Sequence, residues 1–485
     1  MAMPSSSPQI RRTKIVATLG PAWEAEDRLV ALLDAGVNIV RVNASHGTPQ
    51  TREKWIRLLH SVRDQRQSPT GILVDLHGPR IRVGTLPAPV TLVSGGSVVL
   101  APEATAEEGD IPTTYAALAA DVRPGSQILI DDGLLSIDVT AVRGDRVEGK
   151  VRYGGVLKSN KGMNLPGSMV SAAAVTEHDR EEVERMVALG IEFIGVSFVR
   201  RPEDLEDLRR IIPKSVKLIA KIEKDTALAN LDGILEASDA MMVARGDLGV
   251  ELPFEAVPMV QKRLIARANR HGKPVITATQ MLESMVSNPR PTRAEVSDVA
   301  NAIIDGTDAV MLSAETAVGQ YPLEAVLAMD RIAREVETHS QRPADHERRR
   351  WRIPAPHFAR TTAGDIPTED AIAVAVAAAA DLLGAQAIVC FTSSGFTART
   401  VSSYRPRVPI LALTPEPATF RQLGLAWGVV PVLMPHLKHY DPMWAIARNE
   451  ILTRGFGQEG SRIVVTCGVP FDIPGTTNLL KVETL

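Results

Sequence analysis

The chain has 485 residues, 45% of them hydrophobic and 23% charged, with a net charge of −3 at pH 7; these are the proportions of an ordinary soluble globular protein. That length calls for two to four domains, and so weak a charge gives no general pull toward nucleic acid or an acidic membrane surface. Two cysteines, Cys390 and Cys467, exclude a disulfide scaffold; with no apolar leader and no run of about 18 apolar residues, the expected setting is the cytoplasm, without membrane or nucleic-acid partners.

In chain order, eight short apolar runs end in polar or charged residues. They are residues 14–19 (KIVATL), 38–43 (NIVRVN), 71–76 (GILVDL), 193–198 (FIGVSF), 217–223 (KLIAKIE), 241–247 (MMVARGD), 274–280 (PVITATQ) and 309–315 (AVMLSAE). Such runs suit strands buried on both faces, and helix-length segments separate most of them. Eight βα units predict a (β/α)8 TIM barrel, a fold that carries its chemistry at the C-terminal strand ends. Those ends hold Asn43, Ser45, Asp75, Ser197, Lys221, Glu223, Asp247, Thr279, Ser313 and Glu315.

More than a hundred residues separate Asp75 from Phe193, far beyond a βα loop. Residues 90–100, 127–139 and 146–155 read there as short strands broken by Gly and Asp-Gly turns. An all-β lid inserted at the active end of the barrel is the expectation. The predicted partition is 1–82 for the first part of the barrel, 83–166 for the lid, 167–345 for the rest of the barrel, and 346–485 for a C-terminal domain. The arginine-rich residues 346–352 read as a solvated linker. From about residue 368, helices alternate with strands at 387–392, 409–414, 428–434 and 462–468, predicting a doubly wound α/β domain. Its loop Thr392-Ser393-Ser394-Gly395-Phe396-Thr397 joins a strand to a helix N-terminus, which suits either a phosphate cradle or a capped turn.

Four clusters carry the candidate chemistry. Lys221 and Glu223 share a face by period-two alternation, and Asp247 ends the next strand. Two carboxylates beside a lysine suit a Mg²⁺ ion and an anionic ligand, with a buried ion-pair network as the alternative. Gly246 opens a Gly-Asp-Leu-Gly stretch whose free amides are expected to hold a carboxylate or phosphate. Arg41, Asn43 and Ser45 alternate to one side, with Arg41 suited to bidentate phosphate binding. Arg80 and Arg82 follow the Gly-Pro turn after Asp75, on the path into the lid. Thr279 adds a hydroxyl expected to face the metal.

At this point the residues resemble the pyruvate kinase family. The resemblance rests on residues 12–22 (RTKIVATLGPA), 41–47 (RVNASHG), 159–167 (SNKGMNLPG), 220–223 (AKIE), 243–251 (VARGDLGVE), 276–285 (ITATQMLESM), 290–316 (RPTRAEVSDVANAIIDGTDAVMLSAET) and 475–482 (GTTNLLKV). It spans the chain from about Arg11 to Val482. It implies phosphoryl transfer from phosphoenolpyruvate to ADP, giving pyruvate and ATP, and a homotetramer. It implies Mg²⁺ or Mn²⁺ on Glu223 and Asp247, and Arg41 and Lys221 on the migrating phosphate. Gly246, Asp247 and Thr279 would hold the substrate carboxylate. Asn43, His46, Arg82 and Lys161 would contact nucleotide, and a water chain through Thr279, Ser313 and Glu315 would protonate the enolate. The loop Thr392–Thr397 resembles the site of a phosphorylated allosteric effector.

Departures from the family pattern bear on monovalent cations. Many members bind K⁺ at positions matching Asn43, Ser45, Asp75 and the carbonyl of Leu76, and carry Glu where this chain has Arg80. Members that dispense with K⁺ typically have Lys there. Arg80 is therefore expected to act as a built-in cation and make K⁺ dispensable. Leu76 replaces a common Thr, His77 a common Lys, Ala44 the usual Phe, and Ala172–Ala174 a Leu-Pro-Ala-like segment. Two rival classes are a 2-oxoacid lyase and a non-catalytic paralogue. The nucleotide-contacting Arg82 and Lys161 argue against the first, and the intact Lys221, Glu223, Asp247 and Thr279 against the second.

Overall fold

The structure, a computed structural model, describes residues 10–79, 81–341, 366–470 and 476–485. Strands Lys14–Thr18, Ile39–Asn43, Gly71–Asp75, Phe193–Val196, Lys217–Ile222, Ala240–Ala244, Val275–Ala278 and Ala309–Leu312 close into an all-parallel barrel. Closure is set by register: Lys14 pairs with Ala309 on one side and Thr18 with Arg41 on the other. Residues of one parity, among them Ile15, Val40, Val42, Ile72 and Val74, pack outward against the surrounding helices. The other parity fills the barrel: Val16, Ile39, Leu73, Phe193, Ile219, Met242, Ile276 and Met311 form an interior cluster. Burial on both sides explains why the strands read as unbroken apolar runs rather than alternating ones.

The lid contains a six-stranded sheet and a two-stranded sheet between the third and fourth barrel strands. Its core is independent of the barrel, built on Leu100, Ile128, Ile130, Ile137, Val147 and Leu165. The turn after Gln127–Ile130 holds both Asp131 and Asp132 at positive φ, +54° and +56°, a conformation that aspartate tolerates better than most residues. Short strands at Ile111–Thr113, Gly155–Leu157 and Met163–Asn164 were not legible, because each is too brief to show a period.

The C-terminal sheet runs Val429–Leu433, Ile410–Thr414, Ala387–Phe391, Arg462–Cys467, Leu479–Thr484, with the first four parallel and the last antiparallel. Sequence reading assigned no strand to the last of these. Its Lys481 and Val482 are exposed, so an edge strand shows no buried run. This domain docks on the N-terminal mouth of the barrel and places Leu425 in the interior cluster. Arg405 pairs with Asp308 at 2.7 Å across the same junction, and Gln422 reaches the Ser215 carbonyl. The arginine-rich residues 346–352 lie outside the described residues.

Lys14 is fully buried at this junction, with its Nζ donating to the Val429 carbonyl at 2.6 Å. Burial, with Arg11 nearby, pushes its pKa down to about 7. The unfolded chain therefore binds the proton between about pH 7 and 10 while the folded chain does not, so stability rises with pH across that window. The expected slope from this one group is about 1.4 kcal/mol per pH unit. Lys14→Met should be more stable than the unaltered protein near pH 7, with the gap closing toward pH 10. Parallel melting curves from pH 7 to 10 check this; a constant gap would show that Lys14 keeps its proton.

Candidate active site

The site is the polar end of the barrel's interior row. Ile39, Leu73 and Ile219 lie inside the barrel. Two residues further along each strand stand Arg41, Asp75 and Lys221, turned the same way by the pleat. Asp75, 1% exposed, is their hub: Lys221 Nζ lies 2.9 Å from Oδ1 and Arg41 Nη2 2.7 Å from Oδ2. Lys221 Nζ is also 2.9 Å from Glu223 Oε1 and donates to Ser197 Oγ at 2.7 Å. Ser197 passes its own proton to the Leu76 carbonyl at 2.7 Å. The ion-pair alternative to a metal site is thus present, but its third member is Asp75, and Asp247 is left over.

These contacts set the charges. Burial works against a proton on Lys221, but Asp75 and Glu223 outweigh it and hold the ammonium above the ordinary lysine range. Burial likewise opposes ionised Asp75, and Lys221 and Arg41 together keep it below the usual carboxylate range. Glu223 goes the other way: burial pushes it up to about 7, Lys221 opposing and Asp247 adding to the rise. Burial also raises Asp247, whose carboxylate has no hydrogen-bond or ion-pair partner among the described residues.

A cavity of about 300 Å³ joins these groups to the lid. Arg41, Asn43, Ser45, Lys221, Glu223 and Asp247 line it from the barrel, and Arg82, Asp132 and Asn164 from above. A hard divalent cation fits this donor set, since Glu223 and Asp247 are oxygen donors whose charge is under-compensated. Among the described residues no group of three or more His, Cys, Asp or Glu side chains forms a metal site. A divalent cation held by Glu223 and Asp247 would draw its other ligands from substrate oxygens and water.

Several expected contacts sit differently. The amide of Gly246 is not free: it donates to Thr279 Oγ1 at 2.8 Å. Thr279 is not part of the strand itself. It lies just past Val275–Ala278 at φ +65°, and its hydroxyl donates to the Ala278 carbonyl at 2.7 Å. Glu315 is buried with its oxygens on the amides of Leu282 and Ser313, at 3.1 and 2.6 Å. Its carboxylate thereby clips two loops together. Ser313 Oγ is buried without a hydrogen-bond partner. Asn43 Oδ1 accepts from the Ser45 amide at 3.0 Å. Lys161 pairs with Asp131 inside the lid at 2.8 Å, and His46 is exposed outside the cavity lining. Arg80 lies outside the described residues.

Two family models match the chain: the pyruvate kinase barrel domain over residues 10–326, and the pyruvate kinase alpha/beta domain over residues 370–483. The chain belongs to the pyruvate kinase family. It is 45% identical to pyruvate kinase 2 of Synechocystis over 99% of this chain and 80% of that relative. It is 40% identical to the pyruvate kinase of Clostridium acetobutylicum over 98% of this chain and 99% of that one. Among solved structures, a pyruvate kinase from Cryptosporidium parvum superposes with a TM-score of 0.89 at 34% identity, covering 98% of this chain and 96% of that one. A phosphotransferase of the pyruvate kinase type accounts for a cavity that brings Arg41 and Lys221 together with Glu223 and Asp247.

Several residues of this pyruvate kinase cavity were missed in the sequence. Asp132 was read only as part of a turn, although its Asp-Asp-Gly signal marks a lid tip facing Asp247. Lys224 follows the Lys-Ile-Glu motif and pairs with buried Glu251, which also accepts from the lid's Asn164 at 2.9 Å. No sequence periodicity joins residues 164, 224 and 251. In the C-terminal domain, Gly395 caps helix Phe396–Ser403 at φ +76°. Arg399 donates from beneath it to the Ser394 carbonyl at 3.0 Å. Thr397 turns inward onto Thr477, 2.8 Å between hydroxyl oxygens.

Proposed function

We propose that this chain transfers the phosphoryl group of phosphoenolpyruvate to ADP, giving pyruvate and ATP, the last step of glycolysis. The observation that carries the reading is the convergence of Arg41, Lys221, Glu223 and Asp247 on one lid-covered cavity. Arg41 and protonated Lys221 face the substrate phosphate together, held apart by Asp75, so the equatorial oxygens meet two fixed positive charges as the phosphoryl group moves. Glu223 and Asp247 would hold Mg²⁺ or Mn²⁺, which supplies further positive charge against the substrate's carboxylate and phosphate oxygens. Gly246 and Thr279 set the floor at the carboxylate end. The enolate takes its proton from water relayed past the Thr279 hydroxyl rather than from threonine directly, since a free threonine is a poor acid. Arg82, Lys161 and Asp132 present the lid to the nucleotide, and lid closure excludes water from the phosphoryl group. Residues 83–166 act as that lid on the barrel of residues 1–82 and 167–345.

Potassium is dispensable in this reading. Asp75, the charged member of the expected K⁺ set, already faces Lys221 and Arg41 at 2.9 and 2.7 Å, and Arg80 adds a further cation in sequence. Pyruvate formation from phosphoenolpyruvate, ADP and Mg²⁺ in K⁺-free buffer should proceed at the rate seen with K⁺ restored. No pyruvate under either condition would end the kinase reading. Turnover only with K⁺ would keep the kinase and return Asn43, Ser45 and Asp75 to a working cation site.

Residues 346–485 regulate the enzyme through a phosphorylated effector on the loop Thr392–Thr397. Ser393→Ala with Ser394→Ala should lower effector activation by about tenfold in half-saturating concentration, the loss of charge-assisted hydrogen bonds, and spare basal turnover. Titration with candidate sugar phosphates and nucleotides checks it; unchanged activation would leave the loop as a capped turn. Assembly as a homotetramer in the cytoplasm, which the family resemblance implies, completes the proposal. No helix among the described residues is long and apolar enough to cross a membrane.

A further inference from the structure

Thr279 and Gln280 follow the seventh barrel strand with φ of +65° and +53°. Two successive non-glycine residues in the left-handed region are unusual, and a β-branched one there is a true outlier. Such a conformation persists only where its surroundings over-determine it. Here most of the hydrogen bonds to the turn's carbonyls come from one side chain, with the Gly246 amide on Thr279 Oγ1 beside it. Arg245, 9% exposed, directs Nε at the Ala278 carbonyl (3.2 Å) and the Thr279 carbonyl (3.3 Å). Its Nη2 meets the Thr279 carbonyl again at 2.7 Å and the Gln280 carbonyl at 3.3 Å. Nη1 is tethered to Asp298 at 2.6 Å, which fixes the plane of the guanidinium. A left-handed pair turns successive carbonyls to one side, and a planar fork of donors is the group that can hold them there.

The geometry points to Arg245 as a positioning residue for the proton-transfer step. It shares the Ala278 carbonyl with the hydroxyl proton of Thr279, and so sets which way that O–H points. It also immediately precedes Gly246, whose amide holds Thr279 Oγ1 at 2.8 Å, and Asp247. One residue thereby ties the threonine turn to the helix that carries a metal ligand. A lysine keeps the charge and has three N–H donors, but they radiate from one atom and do not reproduce the planar fork whose Nε and Nη2 span the three carbonyls.

This inference rests on Thr279 handling the enolate proton, and the test separates the two. In the full-length chain with Mg²⁺, three quantities are measured for Arg245→Lys: equilibrium binding of phosphoenolpyruvate, kcat for pyruvate formation, and exchange of pyruvate methyl hydrogens with solvent. The last is the protonation step run in reverse. Arg245→Lys should slow exchange and kcat by about tenfold to a hundredfold with phosphoenolpyruvate affinity kept within about threefold. Thr279→Ala should show a similar loss, and the double variant no further one. Exchange unchanged in Arg245→Lys but lost in Thr279→Ala overturns the role of Arg245. Exchange unchanged in Thr279→Ala overturns the reading of Thr279 itself. Equal losses of affinity and exchange, or additive losses in the double variant, also overturn the positioning role. If Arg245→Lys does not fold, Asp298→Asn decides: slowed exchange at unchanged affinity supports the tether, and unaltered exchange overturns it.

Discussion

Lys221→Met should lower kcat by about a thousandfold or more while the fold stays intact. The loss follows from the position of Nζ, the charge shared by Asp75, Glu223 and Ser197 at the inner end of the cavity. Arg41 alone would then face the migrating phosphoryl group, and a preorganised charge in a water-poor site is worth far more than the same charge in solution. The fold survives because the two carboxylates left behind have separate remedies. Asp75 keeps Arg41, and Glu223, already pushed up to about 7 by burial, takes a proton. Steady-state kinetics beside a circular dichroism melt tests this. Activity within tenfold of the unaltered enzyme would assign the transferred charge to another cation.

Asp75→Ala should be the most disruptive single change in the site, for stability as well as activity. Removing one partner of a buried ion pair typically costs about 3–5 kcal/mol, because the remaining charge has neither solvent nor partner. Here two cations lose their shared counter-ion at once: Arg41 is left with Thr18 Oγ1 at 3.1 Å and Lys221 with Glu223. They would then repel each other across the gap. Asp75→Asn, which retains an acceptor oxygen of the same reach, should lose noticeably less. Denaturant midpoints for the pair of variants check the order. A loss below about 1 kcal/mol for the alanine variant would mean that water enters and solvates both cations.

Much of the barrel was legible because its strands obey one simple rule. Burial on both faces makes each an uninterrupted apolar run, and the first polar residue marks the active end. Lys221 and Glu223 followed from the pleat alone. The lid's short strands and the edge strand Leu479–Thr484 were not legible, because neither has enough buried residues to carry a period. Inside the site, what sequence could not reveal was how groups are shared. Asp75 was read as a cation ligand and proves to be the hub of Arg41 and Lys221. Glu315 also clips two loop amides, a contact that the sequence did not reveal. Thr279 was assigned to a strand end, where ordinary strand angles would have aimed it at the metal ligands. Its left-handed φ depends on Arg245, 34 residues earlier, a dependence that no local pattern encodes.

Leu425 has a consequence for how this chain can be divided. A gene fragment encoding the barrel and lid without the C-terminal domain would leave an apolar hole open on the barrel axis, where Leu425 now meets Val16, Ile39, Leu73 and Met311. The same fragment would uncover the carbonyl-facing Lys14 and unpair Asp308 from Arg405. A recombinant that exchanges the C-terminal half therefore needs an apolar residue to fill the place of Leu425, together with partners for Lys14 and Asp308.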